Sequence, residues 1–233
     1  MPKIIESGNG TLIPNANNIA VSRRRFLGYG AAAAALVVGV AACNKDDNDN
    51  NMPSTGIDLG SGDFGILNYA YALEQLEAAF YTKVIMSPYG SMPAAEMALL
   101  TDIRDHEIAH REFFKNALGS NAIAALTPDF SAIDFTSRTS VLGAAKAFED
   151  LGVSAYNGAG KLITNGAYLT IAGKIVSVEA RHAAYIRDLI SNGTFADSTD
   201  ANGMDVSMDP AAVLTAANTY LTTKVSGTNL PTS

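Results

Sequence analysis

The chain has 233 residues, of which 48% are hydrophobic, and its formal net charge at pH 7 is -7. This length allows one or two domains with a sizeable core, and the acidic balance argues against nucleic acid as a partner. A single cysteine, Cys43, excludes a disulfide framework and a cysteine-based zinc ribbon.

The first 42 residues have the features of an export signal. The sequence SRRRFL at residues 22–27 precedes an alanine-rich apolar run that ends directly before Cys43. This arrangement resembles a bacterial twin-arginine signal joined to a lipoprotein cleavage site. The resemblance implies a signal peptide at residues 1–42, a lipid anchor on Cys43, and an exported protein in the periplasm or on the outer membrane or cell surface. An uncleaved membrane anchor is the alternative, although the run is near the short end of the ~17–25 residues that a span needs.

Residues 43–62 are polar and acidic, and this composition predicts a flexible tether because few apolar groups offset the entropy of ordering. The acidic start of this segment resembles the surface-export signal of some bacterial lipoproteins. A plain solvated linker is the alternative interpretation.

From residue 64 onward the apolar residues recur at helical spacing, and glycine, proline and asparagine fall between the segments. This pattern predicts four long helices, at about 64–86, 93–119, 136–164 and 167–191. A linker at 119–135 separates the second helix from the third, whereas the other connections are short, so we expect two antiparallel hairpins joined by one crossover. The expected bundle spans residues 63–193. Residues 194–233 are expected to form a loop and a shorter helix that begins at Asp209-Pro210 and runs to about 224.

Acidic residues recur on these predicted helices with a two-fold repetition. The first and third helices each place a glutamate seven residues before a tyrosine, namely Glu74 with Tyr81 and Glu149 with Tyr156. The second and fourth helices each carry Glu-x-x-His, namely Glu107 with His110 and Glu179 with His182. Both spacings keep the paired residues on one helix face. Four glutamates and two histidines suit iron or manganese, and two divalent cations would neutralise carboxylates that are otherwise costly to bury.

The segments LEQLEAAFY, DHEIAHREFF and SVEARHAAYIRDL resemble the metal-site helices of the ferritin-like superfamily, especially its bacterial exported branch related to plant desiccation-associated proteins. The resemblance covers about residues 64–192 and implies an all-α, ferritin-like four-helix bundle that holds two iron ions, with manganese as the alternative. It implies six metal ligands: Glu74, Glu107, His110, Glu149, Glu179 and His182, with Glu107 and Glu179 or their partners bridging. Glu77 is the alternative to Glu74. Tyr81 matches the tyrosine that lies near the metals in ferritins and rubrerythrins, which makes it a candidate for a role in catalysis.

These features lead us to expect oxygen- or peroxide-linked redox chemistry or iron oxidation, with metal ions and dioxygen or peroxide as partners. A metal-sequestering or stress-protective surface lipoprotein without turnover is a second hypothesis, and a bundle whose acids bind nothing is a third. The string HEIAH at residues 106–110 also matches the HExxH motif of zinc peptidases. That hypothesis lacks a third zinc ligand and leaves Glu74, Glu149 and the second Glu-x-x-His motif unexplained.

Overall fold

A computed structural model describes residues 56–232. The predicted signal peptide, the predicted lipidation site at Cys43 and most of the predicted tether lie outside these residues. Four long helices follow one another along the described chain: α1 (Gly62–Met86), α2 (Ala94–Leu118), α3 (Arg138–Gly160) and α4 (Gly166–Ile190). A short helix, α5 (Pro210–Ala217), completes the helical elements, and two-residue strands β1 (Ile57–Asp58) and β2 (Val225–Ser226) pair in parallel. Among these helices none combines the length and the apolar character needed to span a bilayer.

The four long helices pack as two hairpins, α1 against α2 and α3 against α4. Short turns join the helices of each hairpin, so the partners run antiparallel. In the second turn, the Asn165 side chain caps α4 by accepting the backbone N–H of Ala167 at 2.9 Å. Asp63, in the first turn of α1, accepts the N–H groups of Thr164 and Asn165 at 2.8 Å each, which ties the two hairpins together at this end. The predicted four-helix bundle with one crossover and a short C-terminal helix is confirmed.

The crossover between α2 and α3 runs along α1 and covers the side of α1 that faces away from the other helices. Buried polar side chains of α1 pair with backbone groups of the crossover: Asn68 donates to the carbonyl of Asn121 at 2.9 Å, and Gln75 accepts the N–H of Leu126 at 2.8 Å. Phe130 of the crossover packs edge-on against Phe80 of α1. This cover explains why α1 is buried on nearly all sides.

The C-terminal segment contributes to the same core as the bundle. Val213 and Leu221 are almost completely buried, and Tyr220 packs edge-on against Phe148 of α3 at a ring distance of 4.7 Å. β2 returns the chain to β1, where the N–H of Leu59 donates to the carbonyl of Ser226 at 3.0 Å. The segments that complete the core therefore include residues before α1 and residues after α4.

Several predicted boundaries differ from the structure. The predicted tether is too long at its carboxyl end, because Ile57 and Asp58 form β1 and Leu59 is fully buried. The third helix ends at Gly160 instead of about residue 164, since Leu162 turns back to donate to the carbonyl of Ala159 at 2.9 Å. The C-terminal helix ends at Ala217 instead of about residue 224, and a 3-10 turn and β2 follow it.

Candidate metal centre

Six titratable side chains converge at the centre of the bundle, and each of the four long helices supplies at least one. The glutamates at the centre have no solvent exposure, and His182 is buried while His110 is partly buried. The geometry defines two overlapping groups in which one ligand atom from every member lies within 4.8 Å of the others. The first group is Glu74, Glu107, His110 and Glu179, and the second is Glu107, Glu149, Glu179 and His182. Glu107 and Glu179 belong to both groups.

Each histidine directs its Nδ1 atom toward the Glu-x-x-His motif of the other hairpin. Nδ1 of His110 lies 2.8 Å from Oε1 of Glu179, and Nδ1 of His182 lies 2.8 Å from Oε1 of Glu107. The same Nδ1 atoms lie 3.4 Å from Oε2 of Glu74 and 3.5 Å from Oε2 of Glu149, respectively. The arrangement has an approximate two-fold symmetry that exchanges the two hairpins, as the repeated sequence motifs predict.

The polar atoms of this cluster are close to one another but lack hydrogen-bond geometry. Of the ten buried side-chain nitrogen and oxygen atoms without a hydrogen-bond partner in the described residues, eight belong to the six converging side chains. Glu107 and Glu179 each contribute both oxygens, whereas Glu74 and Glu149 contribute one each. Because unpaired buried polar atoms are costly, so many in one place indicate a missing partner that accepts lone pairs from all of them. Divalent cations fit this donor set, in which Glu107 and Glu179 are shared between the two groups and Glu74 and Glu149 are terminal, each belonging to one group.

Two tyrosines engage the remaining oxygens of the terminal glutamates. Tyr81 of α1 donates to Oε1 of Glu149 on α3 at 2.5 Å, and Tyr156 of α3 donates to Oε1 of Glu74 on α1. The seven-residue spacing predicted that each tyrosine shares a face with the glutamate of its own helix, but the hydrogen bonds cross between helices. Sequence reasoning singled out Tyr81 and gave Tyr156 no role of its own, although the repeated spacing was a sufficient signal for both.

The carboxylates control the protonation of the histidines that lie between them. Burial lowers the pKa of His182, but the close approach of Glu107 and Glu149 outweighs burial and raises this pKa to about 12. The pKa of His110 is raised by the same balance. Burial also raises the pKa of Glu149, to about 7. Because these raised pKa values favour a proton on each imidazole, a cation that binds the Nδ1 atoms would compete with protons, and metal binding is expected to release them.

Glu77 is a further buried acid beside this cluster, but it belongs to neither group of four. The alternatives Glu74 and Glu77 are thus separated by geometry, since only Glu74 approaches His110. Glu77 occupies space that Gly152 leaves free: a Cβ at Gly152 would lie 3.1 Å from Oε1 of Glu77. Burial, followed by repulsion from all four converging glutamates, raises the pKa of Glu77.

His106, the first residue of the HEIAH string, lies outside both groups. It is exposed, and its Nδ1 atom is 2.9 Å from Nε2 of His182. The zinc-peptidase hypothesis requires His106 and His110 to bind the same ion. The structure does not place them in one group, so this requirement is not met. The side chain of His106 contacts a histidine and does not contact a carboxylate of the cluster.

An apolar cavity of about 20 Å³ adjoins the cluster. Its walls are almost entirely carbon and include side chains of α1, α2, α3 and α4. Tyr156 lines the cavity and also donates to Glu74, so the cavity and the carboxylate cluster share this side chain. A space of this size holds about one small molecule, and its apolar walls disfavour water.

A protein-family model described as "Ferritin-like domain" matches residues 62–192, from the start of α1 to just beyond α4. No curated protein sequence matches the chain. The matched residues make up more than half of the chain and include all six converging side chains. The buried glutamate and histidine cluster is compatible with metal binding. By the extent of this match, the chain belongs to the ferritin-like domain family.

Proposed function

We propose that this protein binds a dinuclear metal centre, of iron or manganese, and uses it for oxygen- or peroxide-linked redox chemistry. One observation carries the proposal: the unpaired buried atoms number one on each terminal glutamate, two on each shared glutamate and one on each histidine. This distribution supports two cations that would share Glu107 and Glu179.

Each half of the proposed centre has four ligands. One ion would be held by Glu74, Glu107, His110 and Glu179, and the other by Glu107, Glu149, Glu179 and His182. When bound, a pair of redox-active ions would supply the electrons that dioxygen or peroxide accepts.

The surrounding residues hold the ligands in place and keep water away. The hydroxyls of Tyr81 and Tyr156 fix the orientation of the terminal glutamates. The apolar cavity beside Tyr156 favours a small apolar oxidant over water, and this contrast supports dioxygen more than a larger polar substrate.

Metal analysis of the purified full-length protein tests the dinuclear centre. We expect about two ions of iron or manganese per chain. A Glu107→Gln variant removes a shared ligand, so its metal content should fall to less than half. Glu96→Gln is the matched control, because Glu96 is also a buried glutamate but pairs with Tyr89 and Arg138 away from the cluster. Equal metal content in both variants, or none in the unmodified protein, would contradict the proposal.

Redox turnover is tested separately from metal binding. We expect the iron-loaded, reduced protein to consume dioxygen or peroxide, and the Glu107→Gln variant to lose this activity by at least about 100-fold. Tight metal uptake without consumption of either oxidant would instead select the sequestering function.

We also propose, from the sequence of the first 43 residues, that the protein is exported and anchored by a lipid on Cys43. The supporting features are the SRRRFL string, the apolar run after it and the position of the only cysteine. Cells fed a labelled fatty acid should label the protein, and a Cys43→Ser variant should remain unlabelled. A protein that retains residues 1–42 and carries no label would refute the anchor.

A further inference from the structure

The outer nitrogen of His182 has a partner that the equivalent histidine lacks. Nδ1 of His182 faces the carboxylates, and its Nε2 lies 2.9 Å from Nδ1 of His106. The two rings are nearly parallel, with an interplanar angle of 11° and a centroid distance of 5.2 Å. His106 is exposed, so this pair connects the buried cluster to the protein surface.

The contact constrains the tautomer of His182. A ring that offers the lone pair of Nδ1 to a cation keeps its proton on Nε2, and that N–H needs an acceptor. Nδ1 of His106 is positioned to accept it. Such an outer hydrogen bond fixes the tautomer and the ring orientation of a metal-binding histidine and increases its basicity as a ligand.

The two-fold symmetry of the cluster fails at this point. Val178 precedes Glu179 in the second Glu-x-x-His motif, where His106 precedes Glu107 in the first. Valine has no acceptor, and Nε2 of His110 has no hydrogen-bond partner among the described side chains. The tyrosine-to-glutamate bonds, by contrast, are present in both halves.

Glu77 is the other departure from the symmetry, since Gly152 stands at the equivalent position of α3. It acts on both halves, because the raised pKa of Glu77 reflects repulsion from the glutamates of each. The pairing of His106 with His182 is therefore the feature that favours one half over the other.

We propose that His106 is a positioning residue that makes the His182 half of the centre the tighter metal site, so that the two positions fill in order. This inference rests on the proposed dinuclear centre. The first ion enters the group of Glu107, Glu149, Glu179 and His182, and the second ion enters the His110 half.

Cobalt titration of the metal-free, full-length protein under anaerobic conditions tests the order of filling. Co²⁺ reports its coordination by visible absorption, and we expect two binding steps whose affinities differ by at least about tenfold. His106→Phe keeps a stacked ring but removes the acceptor, so it should weaken the first step by about 10- to 100-fold and leave the second step nearly unchanged. His106→Asn returns an acceptor oxygen close to the Nδ1 position and should restore the first step.

The outcomes separate this inference from the proposal beneath it. If Co²⁺ does not bind to the unmodified protein, the dinuclear centre itself is wrong. If two ions bind with equal affinity, or if His106→Phe weakens both steps equally, the centre stands and the role of His106 is wrong. Circular dichroism checks that His106→Phe is folded, and His106→Ala, which also lacks an acceptor, replaces it in the titration if it is not.

Discussion

Tyr156 occupies one of the two carboxylate oxygens of Glu74 and leaves the other, Oε2, without a hydrogen-bond partner in the described residues. Its hydroxyl donates to Oε1 of Glu74, and both groups are buried. A Tyr156→Phe change leaves that oxygen without a partner, so we expect the free energy of unfolding to fall by about 1–3 kcal/mol. Metal affinity should fall as well, because the glutamate is no longer held in its binding orientation. Urea denaturation of the metal-free protein and a metal titration measure the two effects.

Tyr69→Phe is the matched control for this prediction. Tyr69 is buried, as Tyr156 is, but its hydroxyl has no hydrogen-bond partner in the described residues. Removing an unpaired buried hydroxyl is expected to be neutral or stabilising. If Tyr156→Phe and Tyr69→Phe unfold at the same urea concentration, the bond between Tyr156 and Glu74 contributes nothing to stability.

The raised pKa values of the cluster predict how the stability of the metal-free protein depends on pH. Burial raises the pKa of Glu149 from 4.5 to about 7, and carboxylates that outweigh burial raise that of His182 from 6.5 to about 12. The folded protein therefore binds more protons than the unfolded chain, up to about pH 7 because of Glu149 and above about pH 6.5 because of His182. The free energy of unfolding accordingly falls as pH rises. The lowered pKa of Glu179, about 2, affects stability only in more acidic solution.

We accordingly expect the melting temperature of chelator-treated protein to fall by roughly 5–10 °C between pH 5 and pH 8. Metal binding should show the opposite trend, because protons compete with the cation for the same atoms and the competition weakens as pH rises. Differential scanning calorimetry at a series of pH values provides the check. A melting temperature that is constant or rises over this range would show that the buried groups do not hold these protons.

At the residue scale, the sequence predicted the convergence of the cluster better than its hydrogen bonds. Repeated spacing on the predicted helices was enough to indicate that Glu107, Glu149 and Glu179 lie inside the bundle, where they are buried. The hydrogen bond from Tyr81 on α1 to Glu149 on α3 depends on how the two helices are rotated relative to each other. The spacing of residues within one helix carries no information about that rotation. The partnership of His106 with His182 depends in the same way on α2 and α4.

At the scale of the helices, α3 contains a glycine, Gly158, at a point where another segment packs too closely to leave room for a side chain. A Cβ at Gly158 would overlap the carbonyl oxygen of Met208, where the chain returns over α3. This backbone is held in place, because the N–H of Met208 donates to the carbonyl of Ser154 at 2.9 Å. We expect Gly158→Ala to lower the free energy of unfolding by about 1–3 kcal/mol or more, as measured by thermal and urea denaturation.

Gly143 provides the comparison on the same helix. It is exposed, and a Cβ added there would meet nothing within 4 Å. Gly143→Ala should raise the free energy of unfolding by about 0.5–1 kcal/mol, since alanine favours the helical state. Two substitutions of identical chemistry are thus expected to have opposite signs, and the same sign for both would mean that the contact with Met208 is absent.

The predicted ends are wrong for elements that stop where the chain makes contacts with residues distant in the sequence. The apolar pattern continues past Ala217, but the Asn218 side chain forms two hydrogen bonds with the backbone of Val225, at 2.8 and 3.0 Å. These bonds compete with helix continuation and turn the chain toward β1. β1 and β2 lie at opposite ends of the described chain, and two-residue strands have no periodicity from which to predict their pairing.

For the whole molecule, the order of short and long connections was sufficient to predict the topology of the bundle, whereas the extent of the core was not predictable. The family match ends at residue 192, and the predicted bundle ended at residue 193. The core continues beyond both, with buried apolar side chains at Val213, Leu214, Ala217, Leu221, Val225 and Leu230. The local sequence pattern identifies α5 as amphipathic. It does not indicate that aromatic residues of α1 and α3 depend on the C-terminal segment for their burial.

We therefore expect a chain that ends at Asn192 to lose its cooperative fold. Burial of each larger apolar side chain contributes about 1.5–3 kcal/mol, so the C-terminal segment contributes on the order of 10 kcal/mol, which is comparable to the entire stability of an ordinary domain. A graded version of the test uses Leu221→Ala, with an expected loss of about 2–5 kcal/mol, beside Met204→Ala in the exposed part of the same segment, with an expected change below about 0.5 kcal/mol. Thermal melts followed by circular dichroism compare the variants with the full chain. If the shortened chain melts cooperatively within a few degrees of the full chain, the helices alone form the stable unit and the C-terminal segment is an accessory to it.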